Sequence, residues 1–281
     1  EVLGSNPSRR TKTTTMLNKK INKIIFFSFL IKLIFVFFFH EKVLSDEWAI
    51  LYQNFQNFKS YSYYVFGDQS IPSSYMPPLY FIFIYINKIL SFDKFNFLYL
   101  IYFNQILISS LSVYLFYKLC KNFLSERFSL IGALIFSIFP LMVYSNGLIS
   151  SACLQLFFYL LFINLFLKIF THDLLKKDLF FLAIISSLTL ILRGEFLIIL
   201  LFSLIYLTIS NKKKIIQAIT MLIITTILVS PYLIRNYINT GSLHLVNVTG
   251  YALWKGNNQL ANVEGFHHSL HPNNRETWPK N

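Results

Sequence analysis

Residues 79–92 read "LYFIFIYINKILSF". The run is apolar over about 14 residues and carries Lys88 near its end. A run of this length is more often a re-entrant or interfacial helix than a crossing one, because roughly 20 apolar residues are needed to span a bilayer. Whether it crosses decides the topology of everything after it. Around it lie longer or similar runs at 24–39, 97–117, 128–146, 151–170, 179–192, 196–209 and 215–234.

Lysine and arginine placement discriminates between the two arrangements, since basic residues in short loops stay on the cytoplasmic side. If 79–92 does not cross, Lys19, Lys20 and Lys23 share one side with Lys118, Lys121 and Arg127, with Lys168, Lys176 and Lys177, and with Lys212, Lys213 and Lys214. If it does cross, the last three clusters move to the other side. The first arrangement is the consistent one. It gives a polytopic all-α membrane bundle of about seven transmembrane helices plus one short interfacial or re-entrant helix. The N-terminus is then cytoplasmic, and the loop 40–96 and the tail from 235 are extracytoplasmic. Pro140 and Pro231 are expected to kink their helices.

Composition agrees. The chain has 281 residues, 55% hydrophobic and 18% aromatic, with a mean hydropathy of +0.54. Nothing alternates as barrel strands would, and lipid demands internally satisfied backbones. The net charge of +13 sits in the loops between spans rather than on one contiguous basic face, which argues against nucleic acid as a partner. The two cysteines, Cys120 and Cys153, fall at opposite faces and are read as unbridged core residues. Residues 1–15 are polar and featureless, and Met16 opens a basic flank, "MLNKKINK". Segment 1–15 is therefore expected to be a disordered, non-native extension, 16–234 a transmembrane module, and 235–281 an outer tail. The first run lacks a small-residue cleavage site after it and reads as a retained anchor.

Just beyond that first run comes "SDEWAILY" (45–52), with two adjacent acids in a chain that has only 12. Trp48, Leu51, Phe55 and Phe58 recur at helical spacing, and Gln53, Asn54, Gln56 and Asn57 occupy the other side. This is the pattern of an amphipathic helix at the membrane surface. Ser45 suits its N-cap, and Asp46 and Glu47 suit its first turn, where the helix dipole favours acids by about 0.3–1 kcal/mol each. Helix-start chemistry therefore explains the pair as readily as function does. The following "SSYMPPLYF" (73–81) uses Pro77 and Pro78 to open the short helix and returns the chain to the membrane. Arg193 and Glu195 sit between two short apolar runs, either as a self-neutralised pair or as membrane-edge charges with a function. Arg235 and Lys255 lie in the Gly/Asn/Thr-rich stretch 230–259 and offer cations near the outer face. The tail histidines His267, His268 and His271 have roughly metal-like spacing but no supporting acid or cysteine array, so no metal is assigned.

Taken in order, the acid pair after the first span, "YMPPLYF", and "PYLIRNY…GYALWKGNN" resemble the GT-C membrane glycosyltransferases, of the protein-mannosyltransferase and aminoarabinose-transferase type. The resemblance covers about 16–260. It implies a GT-C-like fold in a bacterial inner membrane and transfer of a sugar from a polyprenyl-phosphate donor, on the extracytoplasmic face, to a lipid, glycan or protein acceptor. It places the general base at Asp46, with Glu47 beside it, and matches Arg235 to the family's arginine. Arg193, Lys255 and Tyr75 are added here as candidate contacts to the donor phosphate. No cofactor is assigned, and a divalent metal stays open. Two positions depart from the family: Tyr232 stands where a tryptophan is usual, and Ser150 and Ser151 stand where many relatives carry a second acid. Such enzymes are also longer, so the reading expects an N-terminal fragment. The alternatives are a non-enzymatic lipid-linked-sugar flippase or transporter, which would place charges at mid-membrane, and a polysaccharide polymerase or ligase.

Overall fold

A computed structural model describes residues 7–44, 46–63, 72–92, 94, 96–171, 176–210, 214–247, 253 and 257, with side chains from residue 19 onward and not at residues 46, 170, 171, 176 and 210. Among the described residues there are ten α-helices and no strand. They are α1 (Pro7–Phe38), α2 (Asp46–Phe58), α3 (Leu79–Leu90), α4 (Leu98–Cys120), α5 (Glu126–Ile138), α6 (Pro140–Tyr144), α7 (Ala152–Thr171), α8 (Lys176–Leu190), α9 (Phe196–Ser210) and α10 (Ile215–Thr240). Four carry stretches long and apolar enough to cross a membrane: Lys19–Phe38, Leu98–Cys120, Ala152–Ile169 and Ile215–Thr240. The other expected spans are also helical but shorter. α8 and α9 have 15 residues each, about 22 Å of helix against a hydrocarbon core of about 30 Å.

Each deviation from the sequence reading has a local cause. α1 begins at Pro7, inside the segment expected to be disordered; neither Gly nor Pro interrupts it before Phe38, and Pro is tolerated where a helix starts. The run 128–146 is split into α5 and α6 because Phe139 precedes Pro140 and takes φ −59°, ψ 124°, outside the helical region. Pro231 does not interrupt α10. The carbonyl that its missing N–H would have bonded, that of Ile227, instead accepts a hydrogen bond from the Ser230 hydroxyl at 2.8 Å. α3 spans 12 residues, about 18 Å, and is too short to cross alone.

α2 forms where the spacing placed it, yet its stripe is shifted. Leu51 is fully buried and Trp48 and Phe55 pack around it, whereas Phe58 is exposed. Asn54, expected on the polar side, is buried and donates to the Ser62 carbonyl at 2.9 Å. It lies next to Leu51 on the helix surface and is carried inward with it.

Side-chain hydrogen bonds fix helix directions. Gln105, near the start of α4, donates to the Leu148 carbonyl just before α7, and Asn164, late in α7, donates to the Leu115 carbonyl late in α4. α4 and α7 are therefore parallel. α1 runs against them: Ile21 packs with Val113 and Tyr117, and the Tyr102 hydroxyl donates to the Glu41 carbonyl. Lys214, preceding α10, donates to the Ile169 carbonyl near the end of α7 at 2.6 Å, capping an otherwise orphaned acceptor. Lys168 pairs with Asp178 across the α7–α8 connection at 2.8 Å. Lys19–Lys23, Lys118–Arg127, Lys168, Lys177 and Lys214 thus collect at one end of the bundle. Glu41, α2, Arg193, Arg235 and His244 collect at the other. Cys120 and Cys153 are both free and lie at opposite ends, as expected.

Candidate functional site

The α8–α9 turn is the centre of the site. Arg193 N–H bonds back to Thr189 O at 2.8 Å, and Phe196 N–H returns to Arg193 O at 3.1 Å, so the turn is tight and rigid. Arg193 reaches sideways and donates through Nε to the buried Ser151 hydroxyl at 2.9 Å. Glu195 instead accepts from Gln155 Nε2 at 3.1 Å. No ion pair joins Arg193 to Glu195 among the described residues, which removes the self-neutralised pair as an account of the turn. Ser151 is one of the two serines that stand where the resembled family often has an acid; here it serves Arg193.

Over the turn lies the stretch 243–247. Val246 covers Gly194 so closely that a Cβ there would sit 2.9 Å from Val246 Cγ2. The stretch is pinned from three sides. Asn236 donates to the His244 carbonyl at 2.8 Å, Tyr232 to the Leu245 carbonyl at 3.1 Å, and Asn247 N–H to the Ser74 carbonyl at 3.2 Å. His244 Nε2 is in hydrogen-bond contact with Ser74 Oγ, and its Nδ1 lies 2.8 Å from Ser242 Oγ.

Between this cover, the α8–α9 turn, α9, α10 and the segment 75–77 is a cavity of about 850 Å³. Its walls are mostly leucine, isoleucine and valine. Its polar side chains are Arg193, Glu195, His244, Tyr75, Thr225 and Thr226. Apolar volume with a few convergent polar groups is the usual form of a small-molecule site.

Of the residues singled out from sequence, the structure brings Arg193 and Tyr75 to this cavity. Arg235 is not in its lining. Its guanidinium donates to the Ser73 carbonyl at 2.5 Å and to the Tyr61 carbonyl at 2.6 Å, and stacks 5.7 Å from the Tyr61 ring. Burial holds the Tyr61 phenol well above its ordinary pKa; Tyr232 adds to the shift and Arg235 opposes it. Arg235 is thus the clamp that returns the outer segment to α10. Glu47 is partly buried on α2, while the Asp46 side chain, Lys255 and the histidines 267, 268 and 271 lie outside the described residues. Among the described residues no group of three or more His, Cys, Asp or Glu side chains could hold a metal.

Two residues were missed. Glu41 accepts the Ile149 N–H at 2.9 Å ahead of α7, and His244 lines the cavity. The signal for each was faint: an acid directly after the first apolar run, and a lone imidazole between leucines in "SLHLV".

No family model, no curated protein and no solved structure matches this chain. The fold by itself defines a helical membrane protein with a cavity at the end of its bundle opposite the short-loop lysines.

Proposed function

We propose that the chain is a membrane glycosyltransferase that uses a polyprenyl-phosphate-linked sugar on the extracytoplasmic side, in a bundle crossed seven times with its N-terminus in the cytoplasm. The observation that carries this is the cavity: a largely apolar volume of about 850 Å³ between α9 and α10 with Arg193 at the α8–α9 turn. An amphiphilic anion suits it, with the chain among the leucines and the phosphate at the guanidinium, whose donor fork matches phosphate oxygens. The base remains Asp46, which opens α2 at the same end of the bundle. It would take the proton from the acceptor hydroxyl as that oxygen attacks the anomeric carbon, and the polyprenyl phosphate would leave towards preorganised donors.

The test is transfer of sugar from a polyprenyl-phosphate donor by purified protein. Asp46→Asn keeps size and helix-start compatibility and removes basicity, so transfer should drop by about 10²–10⁴-fold at unchanged folded yield. Wild-type rates in this variant would return "SDE" to helix-start chemistry alone.

A transporter is the second reading, and Lys32 favours it. Lys32 is 1% exposed within α1, and its electrostatic neighbour is Cys153, at the start of α7. A buried ionisable side chain inside a span is a functional hypothesis by default. Passage of a lipid-linked sugar across vesicles without any transfer would support this reading over the enzyme.

A further inference from the structure

We infer that the cavity also takes an ethanolamine phospholipid, with the lipid phosphate on Arg193 and the ammonium beside it on Glu195. This rests on reading the cavity as a site for a lipid phosphate, and it adds a zwitterionic lipid that exchanges there with the polyprenyl-phosphate donor. Arg193 and Glu195 lie two positions apart in the α8–α9 turn, and both line the cavity. Among the described residues no ion pair joins them. Each is held instead from the start of α7. Arg193 Nε donates to Ser151 Oγ at 2.9 Å, and Gln155 Nε2 donates to Glu195 Oε1 at 3.1 Å.

The two anchors set the spacing of the charges. The Gln155 N–H bonds to the Ser151 carbonyl at 2.8 Å, so the anchors stand one helical turn apart, about 6 Å along the axis. In an ethanolamine phospholipid the nitrogen lies four single bonds from the phosphorus, about 4–5 Å. A phosphate on the guanidinium therefore brings its ammonium to the carboxylate, and the two side chains take up the small difference. Neither charge is spent on its anchor. Among the described residues the Nη nitrogens of Arg193 and Oε2 of Glu195 have no hydrogen-bond partner. The guanidinium keeps a donor fork for phosphate oxygens, and the carboxylate keeps an acceptor for an N–H. A bare anion at Arg193 meets the Glu195 carboxylate close by, whereas a zwitterion gives each charge its opposite, which is selection by repulsion as well as attraction. Leu197, Leu200, Leu222, Val229 and Leu233 of the lining receive the acyl chains. A choline head group has no N–H for the carboxylate, and a glycerol head group has no cation.

The test is native mass spectrometry of the full chain in maltoside micelles. The protein is equilibrated with equal amounts of phosphatidylethanolamine, phosphatidylcholine and phosphatidylglycerol of one acyl composition. The expected result is ethanolamine-lipid occupancy roughly tenfold above that of either other lipid, the scale of one hydrogen bond between charged groups. Glu195→Gln should abolish the preference while phospholipid still binds. Arg193→Gln should lower the binding of all three lipids. Undecaprenyl phosphate should displace the ethanolamine lipid. Stepwise N-methylation of the ethanolamine head group removes the N–H donors one at a time, and occupancy should fall in step to the choline level. That series needs no substitution in the protein, so it serves if the Glu195 variant fails to fold.

Equal occupancy by the three lipids, or an ethanolamine preference that survives Glu195→Gln, overturns the inference and leaves the lipid-phosphate reading standing. An ethanolamine lipid that undecaprenyl phosphate does not displace sits elsewhere on the protein, which also overturns the inference. Binding of every lipid, undecaprenyl phosphate included, that is undiminished in Arg193→Gln removes the reading of the cavity itself and the inference with it.

Discussion

Two glycine turns sit side by side at the same end of this bundle and are closed in opposite ways. Gly147, in the turn before α7, faces the backbone carbonyl oxygen of Phe39, and the Glu41 N–H bonds to Gly147 O at 3.1 Å. Gly194, in the turn before α9, faces the side chain of Val246. Backbone cannot step aside, whereas a valine side chain can rotate. The junction of α1, α4 and α7 is therefore sealed main chain to main chain. The junction of α8, α9 and α10 is closed by a side-chain contact, with a cavity beneath it. The same contrast separates the two arginines: Arg235 is committed to carbonyls of the outer segment, and Arg193 is held by one serine hydroxyl. Placing cations is not enough for ligand binding; what matters is how many of their donors the fold has already taken.

Four substitutions, scored by unfolding in detergent, test that contrast from its strongest consequence to its weakest. Gly147→Ala forces a Cβ into the Phe39 carbonyl and towards the Phe35 ring at 3.1 Å, and should cost about 3 kcal/mol, the upper range of overpacking. Arg235→Gln removes two charge-assisted bonds to carbonyls and the Tyr61 stacking contact, and should cost about 2–3 kcal/mol, with Arg235→Lys recovering only part because it lacks the planar fork. Gly194→Ala should cost only about 1 kcal/mol, because Val246 yields, and should speed hydrogen exchange of the amides at 243–247. A loss equal to that of Gly147→Ala would show the two turns to be sealed alike. Arg193→Gln should change stability least, by about 0.5–1 kcal/mol, while binding of a polyprenyl-phosphate donor falls. A stability loss matching that of Arg235→Gln would make Arg193 a second clamp rather than a ligand contact.

Much of the helix layout was legible because it rests on local physics. The amphipathic spacing of Trp48, Leu51 and Phe55 is enough to place α2, whereas Pro140, expected only to kink the run 128–146, breaks it into α5 and α6. The lysine clusters were read from the sequence as one group, and their described members, Lys19, Lys20, Lys23, Lys118, Lys121, Arg127, Lys168, Lys177 and Lys214, share one end of the bundle. The chemistry assigned to individual cations was less legible. Arg193, Arg235 and Lys255 look alike as letters. Arg235 lies four residues after Pro231, and nothing nearby in the sequence says that it will meet Ser73 and Tyr61, more than 150 positions away.

Apolar run length, basic loops and helix punctuation lie within a turn or two of each residue, so the sequence alone was sufficient to determine a helical membrane protein and the approximate bounds of its helices. The cavity, the contact of Arg193 with Ser151, the clamp at Arg235 and the place of His244 in the cavity wall were decided only by tertiary structure. Each depends on which distant carbonyl, hydroxyl or methyl group arrives beside a side chain, and hydrogen-bond capacity is assigned by proximity in space, which helix spacing does not encode.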